Sequence, residues 1–221
     1  METSEHIMIH YNESDIEQFD RVFRLRLINS LSGYKPANLI GTRSESGQPN
    51  LAIFSSVVHL GADPPLIGFI QRPLTVARHT YDNIKATGVY TINHVHESFI
   101  EKAHTTSARY DRSVSEFDAT GLHEDYLEDF TAPFVRESLI KVGVEYINEI
   151  PIQENGTILM IGKIVHIFVA PDAHMADGIL NLDAVQDVVI SGLNGYHRVE
   201  PIQSFRYARG ENFNGKPYGR D

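Results

Sequence analysis

GTILMIGKIVHIFV, residues 156–169, is the longest β-type run in the chain, rich in β-branched and apolar residues and free of proline, and it decides the fold class. Asn155-Gly156 supplies a turn just before it, and the preceding SLIKVGVEYI, residues 138–147, alternates roughly at period two as a half-buried strand does. Further upstream, ANLIGTR (37–43) and LAIFSSVVH (51–59) flank SESGQP (44–49), whose Ser and Gly residues suit a tight reversal, and the pair reads as a β-hairpin. Pro64-Pro65 breaks any helix and launches LIGFIQ (66–71), an apolar run of buried-strand length. Thr80 stands where it would cap a short helix through Ala86, with Gly88 at C′, before VYTIN (89–93) resumes strand character. Residues 97–129 are polar, with helix-compatible pieces such as SFIEKAHTTSARY (98–110). Residues 171–177 read as a loop, 179–183 as a small ordered segment, and the tail GENFNGKPYGRD (210–221) as extended or mobile. No internal repeat or low-complexity block interrupts the pattern. The expectation is a mainly β protein, a closed or nearly closed antiparallel barrel with inserted short helices.

Composition narrows the function. The 221 residues carry 19 Lys and Arg against 29 Asp and Glu, a formal net charge of −10, which argues against a nucleic-acid binder with a basic footprint. Any anion site must therefore be local. The absence of cysteine excludes disulfides, thiolate-held iron-sulfur clusters and thiol catalysis. The opening METSEHIMIHYNESDIE is polar and acidic, without a basic n-region, and no apolar stretch approaches a membrane span, so a soluble, cytoplasmic protein with no membrane partner is expected.

RHTYDNIKATGVYTINHV, residues 78–95, gathers Arg78, His79 and Thr80 in front of the short helix. A helix N-terminus exposes unpaired N–H groups and partial positive charge, and a guanidinium, a ring N–H and a hydroxyl placed there would together hold a phosphate. The spacing by itself is weak evidence, and a threonine that only caps its own helix beside a solvated arginine is the more ordinary reading of it. Ser55 and Ser56, adjacent in an apolar strand, project to opposite faces; one of them either lines a pocket or bonds neighbouring backbone. His94 and His96 share a face and could share a metal, yet no further ligand follows at a recognisable spacing, so no metal is expected. Neither serine lies in G-x-S-x-G, and no G-x-G-x-x-G fingerprint occurs.

Asn50-Leu51-Ala52 followed by Ser55-Ser56, then Asp63-Pro64-Pro65-Leu66-Ile67-Gly68-Phe69, then Arg78-His79-Thr80 with Asn83-Ile84, and a strand ending at Asn93 resemble the flavin reductase-like family. The similarity continues through Val114-Ser115-Glu116-Phe117, Gly121-Leu122, Ala132-Pro133, Glu137-Ser138 and Ile161-Gly162-Lys163-Ile164-Val165, and more loosely through residues 192–198. His79 departs from the family pattern, where an acidic or small polar residue is expected. The resemblance implies an FMN-binding split β-barrel over residues 25–209, with an N-terminal extension (1–24) and a C-terminal tail (210–221). It implies further that Asn50, Leu51, Ala52, Ser55 and Ser56 border the flavin and that Arg78, His79 and Thr80 hold its phosphate, with no catalytic side chain. The implied function is an FMN-dependent oxidoreductase, a flavin reductase with NADH or NADPH as donor or a flavoredoxin-like electron-transfer protein. Its implied partners are a small-molecule or protein electron acceptor and a second copy in a homodimer. A non-catalytic electron carrier or flavin store is the alternative.

Overall fold

The computed structural model describes residues 8–205. Its helices are α1 (Glu13–Gln18), α2 (Arg21–Ser30), α3 (His79–Thr87), α4 (Ile100–Thr105) and α5 (Glu116–Thr120). Its strands are β1 (Lys35–Pro36), β2 (Asn38–Arg43), β3 (Pro49–Phe54), β4 (Val58–Ala62), β5 (Pro65–Gln71), β6 (Val89–His94), β7 (Glu124–Asp125), β8 (Phe134–Val135), β9 (Ile140–Ile152), β10 (Thr157–Val169), β11 (Val188–Ser191) and β12 (Gly195–Arg198). The tail read above as extended or mobile lies outside the described residues.

Seven strands pair antiparallel in the order β3-β2-β6-β9-β10-β5-β4. The two edges of this sheet, β3 and β4, are consecutive in the chain, with only Ser55, Ser56 and Val57 between them. Laid flat at about 4.8 Å per neighbour, the edges would stand about 29 Å apart. The linker from Phe54 to Val58 reaches at most about 14 Å. The sheet must therefore curl until its edges meet. A contact across the seam agrees: the Phe54 ring of β3 and the Phe69 ring of β5 meet edge-on at 4.9 Å. Ser56 Oγ, which donates to Ile70 O at 3.1 Å and accepts from Ile70 N at 3.2 Å, continues the β4–β5 ladder toward the linker.

Alternation along the strands sorts two cores. Ile40, Phe69, Tyr90, Ile92, Val144 and Met160 fill the barrel, and Ile84 of α3 joins them as a plug. On the opposite face, Leu39 and Leu51 pack with Phe99, Phe117, Val135, Val188 and Ile190, beneath α4, α5 and the small sheet β1-β11-β12. Gly88 ends α3 in the left-handed region (φ 75°), its N–H returning to Ile84 O, as its position in the sequence predicts.

The structure differs from the sequence reading in these places. The run 51–59 is two strands rather than one, because the chain must leave one sheet edge at Phe54 and join the other at Val58. The strand starting near residue 138 extends to Ile152, paired along nearly all of β10, with register shifts at Ile161/Gly162 and Ile164/His166. Short β11 and β12 and helix α2, capped by Asp20 through Val22 N and Phe23 N, were not anticipated. None of the α2 residues is buried, so no core-facing stripe announces it.

Candidate functional site

Thr42 pairs with Asn50 and Ile40 with Ala52, so all four project to the barrel side of β2 and β3, where α3 packs. There Asn50 Nδ2 donates to Thr42 Oγ1 (3.2 Å) and to Thr80 Oγ1 (3.1 Å), while Asn83 Nδ2 donates to the same Thr42 oxygen (3.1 Å). All four polar side chains are buried. This overturns one expectation: Thr80 does not cap its helix. α3 begins at His79, and its N-cap is Arg78, whose side chain has no acceptor to make a cap bond; Thr80, one position inside the helix, turns its hydroxyl inward to Asn50. Thr80→Val keeps the shape and removes that acceptor; it should lower stability by about 1–2 kcal/mol, read from urea unfolding.

The consequence for α3 is an open N-terminus. Its first intrahelical bond is Asp82 N to Arg78 O, so the N–H groups of His79, Thr80 and Tyr81 lie ahead of the ladder and carry the positive end of the helix dipole. Arg78 Nε donates to Pro73 O at 3.2 Å, which folds the guanidinium back along the β5–α3 loop. Partial burial, and after it the neighbouring Arg72, lower the Arg78 pKa from its ordinary value, a like-charge crowding that an anion would relieve. Beside them, Gln71 is buried, its Nε2 donating to Arg72 O and its Oε1 without a partner among the described residues.

A polar clamp fixes this helix on the barrel. Tyr81 and Tyr146 both donate to Glu149, at 3.1 and 3.2 Å, and Lys85 Nζ donates to Tyr146 OH at 2.8 Å while facing Glu149 at 3.4 Å. Arg112, from the α4–α5 loop, reaches Asp82 in the first turn of α3 at 3.6 Å. The N-terminus of α3 is thereby set by contacts from two sides.

The remaining predicted residues divide. Ala52 is half-buried on the α3 side of β3, and Ser55 is half-buried at the seam. Leu51 is fully buried in the outer core, and its N–H is taken by Glu116 Oε2 at 2.9 Å. The Ser56 hydroxyl is engaged with Ile70 backbone, the second of the two alternatives its sequence allowed. Thr42, Arg72 and Glu116 were not singled out; Asn83 and Glu116 appear in the sequence only within the resemblance. The histidines do not converge: His94 Nδ1 meets Asp187 Oδ2 at 2.7 Å, and His96 is held by Ser98 and Gln186. Among the described residues no group of three or more His, Asp or Glu is arranged for a metal. Nor is any helix among them long and apolar enough to cross a membrane.

Residues 34–183 match the model of the flavin reductase like domain. A split-barrel protein of Shewanella frigidimarina, named as a candidate flavin reductase, is 48% identical and superposes with a TM-score of 0.88 over 91% of this chain and 100% of its own. Flavoredoxin of Desulfovibrio vulgaris shares the fold at 22% identity, with a TM-score of 0.69 over 83% of this chain and 94% of its own. An uncharacterised protein of Halalkalibacterium halodurans is 31% identical over 160 residues, 70% of this chain and 76% of its own. The curled sheet, its edges β3 and β4 brought together by the linker but not paired, is thus a split barrel, and the chain belongs to the flavin reductase-like family of oxidoreductases.

Proposed function

We propose that this protein is an FMN-dependent reductase that holds the FMN phosphate at the N-terminus of α3. The observation that carries this reading is the uncapped start of that helix, with Arg78 as its N-cap and Arg72 alongside. A phosphate monoester dianion fits such a place: backbone N–H groups aimed outward, a dipole of the right sign and a guanidinium fork. In a chain of net charge −10 a local cationic cluster of this kind calls for an anionic ligand.

Arg78, His79 and Thr80 would hold the phosphate, Arg78 by charge, His79 by its ring and both His79 and Thr80 by their backbone N–H groups. Asn50, Leu51, Ala52, Ser55 and Ser56 would border the flavin, Leu51 and Ser56 chiefly by placing backbone, since the Leu51 N–H and the Ser56 hydroxyl already have partners. FMN, when bound, supplies the redox chemistry, accepting a hydride and releasing electrons onward. The protein binds, orients and shields; no side chain need act as acid or base. The donor in this reading is NADH or NADPH stacked in the same cleft, the acceptor is a small molecule or a protein, and the compartment is the cytoplasm. The reading includes a homodimer. A cavity of about 320 Å³ opens near the C-terminal end of α3, lined by Arg43, Gly47, Thr87, Val89 and Ala132, away from the cradle. A second copy would cover a flavin seated at the N-terminus, and exposed Ile147 and Ile150 on β9, flanking the Glu149 that holds Tyr81 of α3, offer apolar surface for one.

The test is direct. Purified protein mixed with FMN and freed of excess nucleotide by gel filtration should stay yellow at one flavin per chain, and anaerobic NADH or NADPH should bleach it at a catalytically useful rate. Bleaching that is slow with both nucleotides and fast only with a reduced protein would identify an electron carrier. A protein that refuses FMN would end the proposal.

A further inference from the structure

β3 pairs with β2 on one side and forms an edge of the sheet. An edge strand presents backbone N–H groups that need partners when they are covered. At Leu51 the partner is the carboxylate of Glu116, the first residue of α5, only 7% exposed, whose Oε2 accepts the Leu51 N–H at 2.9 Å. A buried carboxylate is a costly way to satisfy one amide. Its placement offers a reason.

Leu51 is flanked by Asn50, whose side chain holds Thr80 in the first turn of α3. From Glu116 the contacts run to Leu51 N–H, along one peptide to Asn50, and across to Thr80, with His79 next in sequence. We propose that Glu116 is a positioning residue for the phosphate cradle: by gripping Leu51 at the free edge of β3 it fixes the strand register from which Asn50 sets Thr80 and the start of α3. The inference rests on the FMN reading above and names the side chain, outside the cradle, on which its geometry depends. The groups facing the carboxyl fit this role. Burial raises its pKa, the N–H groups of Leu51 and Glu116 itself oppose that, and a charged His79 would favour its ionised form, so the carboxylate and the cradle also sense one another electrostatically.

The experiment compares wild type, Glu116→Gln, Glu116→Ala and Val188→Ala, the last a weakening of the same outer core that leaves the Glu116–Leu51 bond in place. FMN affinity is read from flavin fluorescence, stability from thermal unfolding, and local geometry from amide NMR of ligand-free protein. Glu116→Ala should weaken FMN about tenfold, the scale of one charge-assisted hydrogen bond. Glu116→Gln, which retains an acceptor, should restore affinity to within about threefold. Val188→Ala should lower the melting temperature and leave affinity unchanged. In ligand-free Glu116→Ala the signals of the Asn50 side-chain amide and Thr80 N–H should shift, and in wild type the Leu51 N–H should report a carboxyl titration that Glu116→Gln abolishes. Unchanged affinity in Glu116→Ala, equal weakening in Val188→Ala, or unmoved Asn50 and Thr80 signals would overturn the role of Glu116. Failure of the wild type to bind FMN would instead remove the FMN reading, and the ligand-free signals would still decide whether Glu116 positions α3.

Discussion

Arg78→Ala is expected to raise the dissociation constant for FMN about thirtyfold, equivalent to about 2 kcal/mol, the range of one charge-assisted hydrogen bond to an anion. The guanidinium is the only full positive charge at the helix start that α3 itself carries irrespective of pH, and Arg72 crowds it from the preceding loop. Its bond to the protein, Nε to Pro73 O, leaves the Nη groups for a phosphate. Loss of that one bond is a small structural change, so the melting temperature of the ligand-free protein should move little. Arg78→Lys should recover only part of the affinity, because an ammonium restores charge without the planar fork. Affinity in the wild type should also fall more steeply with added salt than in Arg78→Ala, since one screened charge has been removed. Arg43→Ala, at the far end of the β2–β3 hairpin, serves as the control and should change nothing. Equal affinity in Arg78→Ala and wild type would place the phosphate elsewhere on the molecule.

What the sequence revealed and what it hid follow from how local each signal is. The β10 run was legible because length and β-branched content are properties of the segment itself, and Gly88 marked the end of α3 because only glycine enters the left-handed region freely there. Thr80 misled for the opposite reason. A threonine at a helix start reads as a cap, and only the fold brings Asn50, thirty positions earlier, close enough to claim its hydroxyl. For Ser55 and Ser56 a single strand left two partners open, a pocket or neighbouring backbone; that Ser56 bonds Ile70 follows only from the chain leaving β3 and pairing with β5. Glu116 was invisible as chemistry for the same reason, since its partner is a backbone amide 65 positions away.

Gly41→Ala is expected to damage the fold severely, costing on the order of 4 kcal/mol. A Cβ at this position of β2 would stand 2.2 Å from Pro133 O and 2.5 Å from Thr91 Oγ1. Neither neighbour can yield cheaply. Pro133 O is backbone, carried between buried Ala132 and Phe134, and it accepts a hydrogen bond from the very hydroxyl that also lies in the way, Thr91 Oγ1 at 2.6 Å. That hydroxyl accepts in turn from Asn93 Nδ2 at 2.9 Å, and Asn93 Oδ1 accepts from Val135 N at 2.9 Å, so the intruding methyl would loosen a buried network joining β6 to β8. Overpacking accounts for about 1–3 kcal/mol and each buried polar group left without a partner for about 1–3 more. For a chain of this size that corresponds to a fall in melting temperature of about 8–16 °C, measurable by calorimetry. Gly61→Ala, whose nearest contact would be Pro64 O at 3.3 Å on the edge strand β4, should cost less than about 1 kcal/mol. The damage should also reach the cradle. Gly41 precedes Thr42, whose hydroxyl receives both Asn50 and Asn83, so a displaced β2 would release the first turn of α3 and weaken FMN binding together with the barrel. A Gly41→Ala protein that melts within about 3 °C of wild type would mean that β2 and the Pro133 segment are not packed as closely as the distances require.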